Sequence, residues 1–387
     1  MCQINQLKSY SASVTCEKNG TPIDCGRSVA PNITATVKCN TRYIPQPNAQ
    51  LKFECKENGQ WNGERTECKA DCGVLVPKAD AISAYGKIAV RHEIPWHATI
   101  YHKDNQICVG TIISGLFLNF SFLINNYFIK IIFLFLELLI ISAAHCFRTD
   151  LSIGVAEIVK SEFKVLLGKT HRDINAKEPD SIQTLNINDI QIPNTYHGKE
   201  MFYQGDIAFL TVSRAIIYRN HIAPACLNIN AASINEKQLP AFGKLGLVAG
   251  FGQTIELKPS ENLTKIILPY IDQNDCHNSA PDDYKKFLVS DKFCAGYNNN
   301  QGYVCKGDSG GGLAFRDDKT EKYYVFGVVS NTRSVGENAC DPYFYSLYTS
   351  ILDYIDTIKE LHTDSLLKLR DMIENPESDA KPADSDL

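Results

Sequence analysis

Fourteen cysteines constrain this 387-residue chain more than any other feature. Cytosolic proteins hold cysteines mainly as zinc ligands or catalytic thiols, often at C-x-x-C spacing, and no pair here has that spacing. An even number at this density reads as disulfides made in an oxidising compartment. The cysteines fall into two even groups. Cys2, Cys16, Cys25, Cys39, Cys55 and Cys68 crowd the first 68 residues. That stretch is too small and polar to bury much core, so cross-links supply what burial cannot. Cys72, Cys108, Cys146, Cys226, Cys276, Cys294, Cys305 and Cys340 are spread over the remainder, which is long enough for one large domain.

The net charge is −5, and Asp371 to Asp386 hold six acids against Lys381 alone. The body is therefore close to neutral and lacks the basic surface that nucleic acid requires. Residues 363–387 read as a short helical extension and then an acidic, solvated, disordered tail. Asn32-Ile33-Thr34 and Asn262-Leu263-Thr264 are glycosylation acceptors, as expected of an extracellular protein. Met1 is followed at once by Cys2 and polar residues, with no signal peptide. The expectation is a secreted protein whose sequence is either a mature fragment or lacks its start. No metal or other cofactor is expected.

Between Cys39 and Cys68 the text reads CNTRYIPQPNAQLKFECKENGQWNGERTEC, with Tyr43 after the first cysteine and Trp61 before the last. Residues 1–68 resemble a sushi (complement control) module, the alternative being an unrelated small disulfide domain. The resemblance pairs Cys2 with Cys55 and Cys39 with Cys68, leaving Cys16–Cys25 as an additional bridge. A linker and activation region then covers 69–81.

Three short motifs follow in one order: Ser142-Ala143-Ala144-His145-Cys146, Gly205-Asp206-Ile207-Ala208, and Gly307-Asp308-Ser309-Gly310-Gly311. Together they resemble the chymotrypsin-like serine proteases, in which His, Asp and Ser occur in that order. The resemblance covers residues 82–362. It implies an all-β fold of two six-stranded barrels closed by a C-terminal helix from about Ser350, and strand-like runs such as FKVLLG and YYVFGVVS fit it. It also implies roles. A serine hydroxyl is a poor nucleophile without a base; His145 is that base for Ser309, Asp206 orients the imidazole, and the N–H groups of Gly307 and Ser309 face the oxyanion. The implied disulfides are Cys108–Cys146, Cys276–Cys294, Cys305–Cys340, and Cys72–Cys226 tying the small module to the protease.

In this family, cleavage before an Ile- or Val-headed sequence frees an amine that pairs with the acid preceding the serine. Here these are Ile82 and Asp308. Ala81 precedes Ile82, so a trypsin-type activator is not expected at that bond. The substrate pocket is expected at Tyr303, Ser330, Thr332 and Ser346. With Tyr303 where tryptic relatives carry Asp, a buried substrate cation has no counter-charge. Small or medium apolar residues before the scissile bond are therefore expected. The module order is similar to insect modular serine proteases, which begin the extracellular cascades of Toll signalling and melanisation. That implies a protease zymogen as downstream substrate and a pattern-recognition protein upstream. Relatives carry low-density-lipoprotein-receptor repeats before the sushi module, which again reads as a truncated amino terminus. The competing reading is an inactive homologue acting as a recognition scaffold through its first module.

One block fits none of this. Ile112 to Ile141 is long and apolar enough to resemble a membrane span, yet a span there would drag Cys108 and His145 out of their barrel. No membrane partner is expected. Removing Gly115 to Leu136 takes out 22 residues and restores the family's shorter spacing between Cys108 and Cys146. The block holds six Phe, five Leu, four Ile and three Asn, a composition of A/T-rich codons. It reads as a retained, in-frame intron.

Overall fold

The computed structural model describes the chain apart from residues 10, 67, 76–86, 91–92, 114–119, 125–126, 132–138, 149–157, 179–181, 229–239, 255, 337–338 and 362–387; for Lys87, 120–124 and 127–131 it describes the backbone alone. The expectations for Ile82, for the ends of the 115–136 block and for the acidic tail lie outside the described residues.

The amino-terminal residues form a small β structure around disulfides. Strands β1 (Ala12–Lys18), β2 (Thr21–Ile23), β3 (Thr34–Cys39) and β4 (Lys52–Glu54) make an antiparallel sheet in the order β2-β1-β3-β4. Val37, Ala35 and Phe53 are buried beneath it with Trp61 and Tyr43. The bridges are Cys2–Cys55, Cys16–Cys25 and Cys39–Cys68. Asn32 is exposed at a turn with φ of 64°.

Two barrels follow. The first is closed and contains β5 (His97–His102), β6 (Asn105–Ile112), β7 (Leu139–Ser142), β8 (Phe163–Leu167), β9 (Gln183–Gln191) and β10 (Ala208–Val212), in the order β5-β6-β7-β10-β9-β8. Its strands carry the expected period of two: Leu185 and Ile187 of β9 point into the core while Thr184 and Asn186 are exposed. Lys103 and Asp104 join β5 to β6 with φ of 48° and 66°, the left-handed pair that matches the twist of a two-residue hairpin.

The second barrel has β11 (Leu245–Gly250), β12 (Thr264–Ile271), β13 (Lys292–Ala295), β14 (Gly312–Arg316), β15 (Tyr323–Asn331) and β16 (Ser346–Ser350). Their order is β11-β14-β15-β16-β13-β12, closed by β11 pairing with β12, while Lys87–Ile88 adds a short strand beside β12. A 3-10 turn at Ile351–Tyr354 leads into a helix over 355–361. The fold is thus the all-β double barrel with a C-terminal helix that the motifs imply.

The described strands of the apolar block lie outside the barrel. β6 pairs directly with β7, Thr111 opposite Ile141 and Ile112 opposite Ile140. Phe120–Ile124 and Tyr127–Ile131 pair only with each other, as a separate two-stranded sheet. No helix among the described residues is long and apolar enough to cross a membrane.

The small module is fixed to the barrels by Cys72–Cys226 and by backbone. Gly73 N–H donates to Pro224 O at 2.8 Å, and Tyr323 N–H donates to Gly73 O at 2.8 Å. Gly73 has φ of 67°, and a β-carbon there would lie 2.5 Å from Tyr323 O, so only glycine fits. Arg42 donates to Val74 O and Asn220 O, Tyr43 packs on Tyr218 at 5.4 Å between centroids, and Lys322 pairs with Asp71 at 2.7 Å.

Candidate active site

His145 lies in the 3-10 turn Ala144–Cys146 directly after β7. Two contacts hold that turn against β6: the Cys108–Cys146 disulfide and a hydrogen bond from Ser142 Oγ to Val109 O of 2.8 Å. Asp206 precedes β10 and is fully buried. Its neighbour Gly205 has φ of 75°, and a β-carbon there would lie 2.8 Å from Thr195 Oγ1.

The aspartate and histidine meet through two bonds. Asp206 Oδ1 accepts the His145 backbone N–H at 2.9 Å, and Oδ2 lies 2.8 Å from His145 Nδ1. An ionised carboxylate only accepts, so Nδ1 carries the proton and Nε2 is left as the free base. Ser330 Oγ donates to the same Oδ2 at 2.5 Å. Sequence reasoning groups Ser330 with the pocket, and its hydroxyl is on Asp206.

Burial disfavours the charge on Asp206, but His145, Lys292 and the Ser330 hydroxyl outweigh it and hold the carboxyl below its ordinary range. Burial likewise disfavours the imidazolium. The charge and hydrogen bond of Asp206 prevail, against an opposing push from Lys292, and lift His145 above its ordinary value.

Ser309 reaches the site from the second barrel. Val109 N–H of the first barrel donates to Ser309 O at 2.9 Å, so the seam itself fixes its backbone. Gly307 and Gly310, on either side, have φ of 104° and 83°. A β-carbon on Gly310 would lie 2.2 Å from Ser142 Oγ and 3.0 Å from Ala143 N, on the segment that carries His145. The backbone of the serine turn therefore presses against that of the histidine turn. Gln106 Nε2 donates to Gly307 O at 3.2 Å and helps to orient that peptide.

Asp308 is buried and points away from solvent into the second barrel, where Gly252 N–H and Cys305 N–H donate to its two oxygens at 2.8 and 2.9 Å. Burial prevails over these dipoles and pushes its carboxyl up to about 6.

Of the expected pocket residues, Thr332 and Ser346 adjoin each other. Thr332 Oγ1 and Ser346 Oγ are 3.2 Å apart. Tyr303 is half-buried, and burial raises its phenol. The Cys305–Cys340 bridge joins the segment before Ser309 to the turn that holds Asp341, which pairs with Arg333 at 2.7 Å. Cys276–Cys294 closes a separate loop. Asn262 is exposed. Among the described residues, Cys108, His145 and Cys146 lie close enough to resemble a metal cluster, but both sulfurs are in a disulfide.

Sequence reasoning misses the groups beneath Asp206: Asp291, Lys292, Thr349 and Tyr354. Lys292 follows an acid and precedes Phe293-Cys294 in an otherwise apolar strand, and such a charge reads as a surface residue until the fold encloses it.

Two six-stranded barrels with His, Asp and Ser at their seam define a chymotrypsin-like serine protease domain. The chain belongs to the trypsin family, described as Trypsin, whose profile matches residues 133–358. It is 26% identical over 306 residues to clotting factor C of Tachypleus tridentatus, covering 76% of this chain and 27% of that protein. It is 25% identical over 370 residues to modular serine protease of Drosophila melanogaster, covering 91% of this chain and 52% of that protein. Mannan-binding lectin serine protease 1 of Mus musculus is 24% identical over 371 residues, covering 88% and 47%. The chain thus spans between about a quarter and a half of the length of these curated relatives.

Proposed function

We propose that this chain is a secreted serine endopeptidase made as a zymogen, with Ser309 as nucleophile, His145 as base and Asp206 as orienting acid. The observation that carries this reading is the pair of bonds from Asp206 to His145, which leaves Nε2 as the unprotonated nitrogen, with Gly310 of the serine turn packed on Ser142 and Ala143 of the histidine turn. Nε2 takes the Ser309 proton as Oγ attacks the substrate carbonyl. Asp206 stabilises the imidazolium without taking the proton. The N–H groups of Gly307 and Ser309 receive the oxyanion. His145 then returns the proton to the leaving amine, and water repeats the sequence on the acyl-enzyme.

Asp308 supports the zymogen reading. Among the described residues two amides hold this buried carboxylate and no cation pairs with it, and a new amine at Ile82 would supply one. Thr332 and Ser346, hydrogen-bonded across the pocket, support a small or medium apolar residue before the scissile bond. Residues 1–68 are read as a sushi module, residues 69–81 as the activation region and residues 82–362 as the protease. Similarity to clotting factor C and modular serine protease supports a place at the start of an extracellular innate-immune cascade. A protease zymogen is then the substrate and a pattern-recognition protein the upstream partner.

The test is labelling of the activated chain with an apolar peptide phosphonate. A single adduct on Ser309, absent in Ser309→Ala, is expected, with a loss of kcat of about 10⁶ in that variant. Absence of any adduct from a chain already cut at Ile82 would favour the inactive scaffold reading.

A further inference from the structure

Directly beneath Asp206 lies a buried ion pair that the triad chemistry does not itself require. Asp291 and Lys292, where β13 begins, are both buried. All three ammonium protons of Lys292 are used: Nζ donates to Tyr203 O at 2.8 Å, Thr349 Oγ1 at 3.1 Å and Asp291 Oδ1 at 3.2 Å. The other oxygen, Asp291 Oδ2, accepts from Gly205 N–H at 2.8 Å and Tyr354 O–H at 2.7 Å. Thr349 Oγ1 in turn donates to Asp206 O at 2.8 Å.

These bonds converge on residues 203–206, a segment that local preference would not hold. Phe202 and Tyr203 have φ of 52° and 60°, unfavourable for aromatic residues, and Gly205 follows at 75°. Tyr203 also stands edge-on to His145, 6.3 Å between ring centroids. Burying an ion pair adds little net stability compared with apolar residues of the same volume. What this pair does provide is a fixed geometry and a fixed charge under the reacting groups.

We infer that Lys292 and Asp291 are positioning residues for catalysis: the pair clamps 203–206 so that Asp206 presents both oxygens to His145, and the Lys292 ammonium is a fixed cation behind the dyad. The inference rests on reading His145 and Asp206 as catalytic. The cation acts on both partners in the useful sense, favouring ionised Asp206 and restraining the rise of the His145 pKa. The other titratable groups facing the cluster are Tyr196 and Tyr203 beside Asp206, and Asp353 and Tyr354 beside the ion pair. The tyrosines are held neutral by burial, and the charge on Asp353 opposes that of Lys292.

The experiment compares the full chain with Lys292→Met and with Asp291→Asn/Lys292→Met, which removes both charges without stranding one. The His145 pKa is followed by NMR titration of its imidazole, a readout that needs no turnover. Activity is measured as kcat and KM per titrated active site. In the double variant the His145 pKa is expected to rise by about half a unit, and kcat to fall at least about tenfold with little change in KM. If Lys292→Met does not fold, the double variant carries the test. A folded double variant with the wild-type His145 pKa and wild-type kcat would overturn the inference and make the pair a core feature only. Absence of a Ser309 adduct in wild type would instead sink the catalytic reading, while the imidazole titration still reports on the pair.

Discussion

A β-carbon on Gly252 would lie 1.9 Å from Asp308 Oδ2, although the Gly252 N–H donates to Oδ1 of the same carboxylate at 2.8 Å. Gly250 stands in the same relation, 2.1 Å from Oδ1. The sequence Gly250-Phe251-Gly252 is thus shaped around the carboxylate next to Ser309. Gly252→Ala must displace Asp308, and with it the Gly307 and Ser309 amides on either side. The expected result is a drop of at least about 100-fold in kcat/KM, comparable to losing an oxyanion donor. Phosphonate labelling rates at Ser309 measure it, with circular dichroism confirming the fold. Labelling at the wild-type rate would show that this cradle does not set the active geometry.

The double barrel is legible through the resemblance that the three motif strings carry, and strand-like runs such as FKVLLG and YYVFGVVS fit it. His145, Asp206 and Ser309 are named by the same resemblance, because each lies in a short string that is read without knowing what the fold packs against it. Asp291 and Lys292 are not. Nothing adjacent in sequence distinguishes a solvated Asp-Lys pair from one that closure of β13 against β16 encloses. Ser330 shows the same limit, since only the fold brings a residue 124 positions away onto Asp206.

The pH dependence follows from two histidines with opposite shifts. His145 must be neutral to accept a proton, and its pKa is lifted above the ordinary 6.5. Activity is therefore expected to rise with pH through a midpoint above 6.5, read from kcat/KM on a neutral peptide. His97 is buried, with Nε2 3.2 Å from Thr99 Oγ1 and its ring edge-on to Phe251, and desolvation pushes its pKa down to about 3. A depressed histidine contributes stability that is complete above the unfolded value and lost as pH falls from 6.5 towards 3. Denaturant titrations at about pH 7.5 and about pH 4.5 should show His97→Leu losing less stability than wild type, by on the order of 2 kcal/mol. Asp308, pushed up to about 6, acts in the other direction but is common to both proteins and cancels in the comparison. Equal losses in the two proteins would mean that His97 is solvated before the chain unfolds.

If Thr332 and Ser346 line the substrate pocket as proposed, their hydroxyls, 3.2 Å apart, set its size. Replacing both with glycine removes that bridge and opens space for a larger side chain. The kcat/KM ratio for a Phe over an Ala substrate is expected to rise at least about 10-fold, the lower end of what one methylene is usually worth in an apolar pocket. A wild-type enzyme that prefers Arg or Lys would contradict the expected pocket chemistry at its base, since Tyr303 supplies no negative charge there.

The apolar block gives the most decisive prediction. β6 and β7 pair as though residues 115–136 were absent, and the block's two described strands pair only with each other. The family profile begins at residue 133, after most of the block. The described strands of this 22-residue apolar block pair with no strand of the barrel, and a run of that composition favours association wherever it meets solvent. The chain lacking 115–136 is therefore expected to fold more readily, stay monomeric, and label at Ser309 faster than the full chain. Size-exclusion chromatography and labelling rates on the two forms test this. Sequencing transcripts across Ser114 and Glu137 tests the origin: some should lack 66 nucleotides, three for each of the 22 residues. If every transcript keeps them and the shortened chain fails to fold, the block is a genuine part of the protease and its separate sheet a structural requirement.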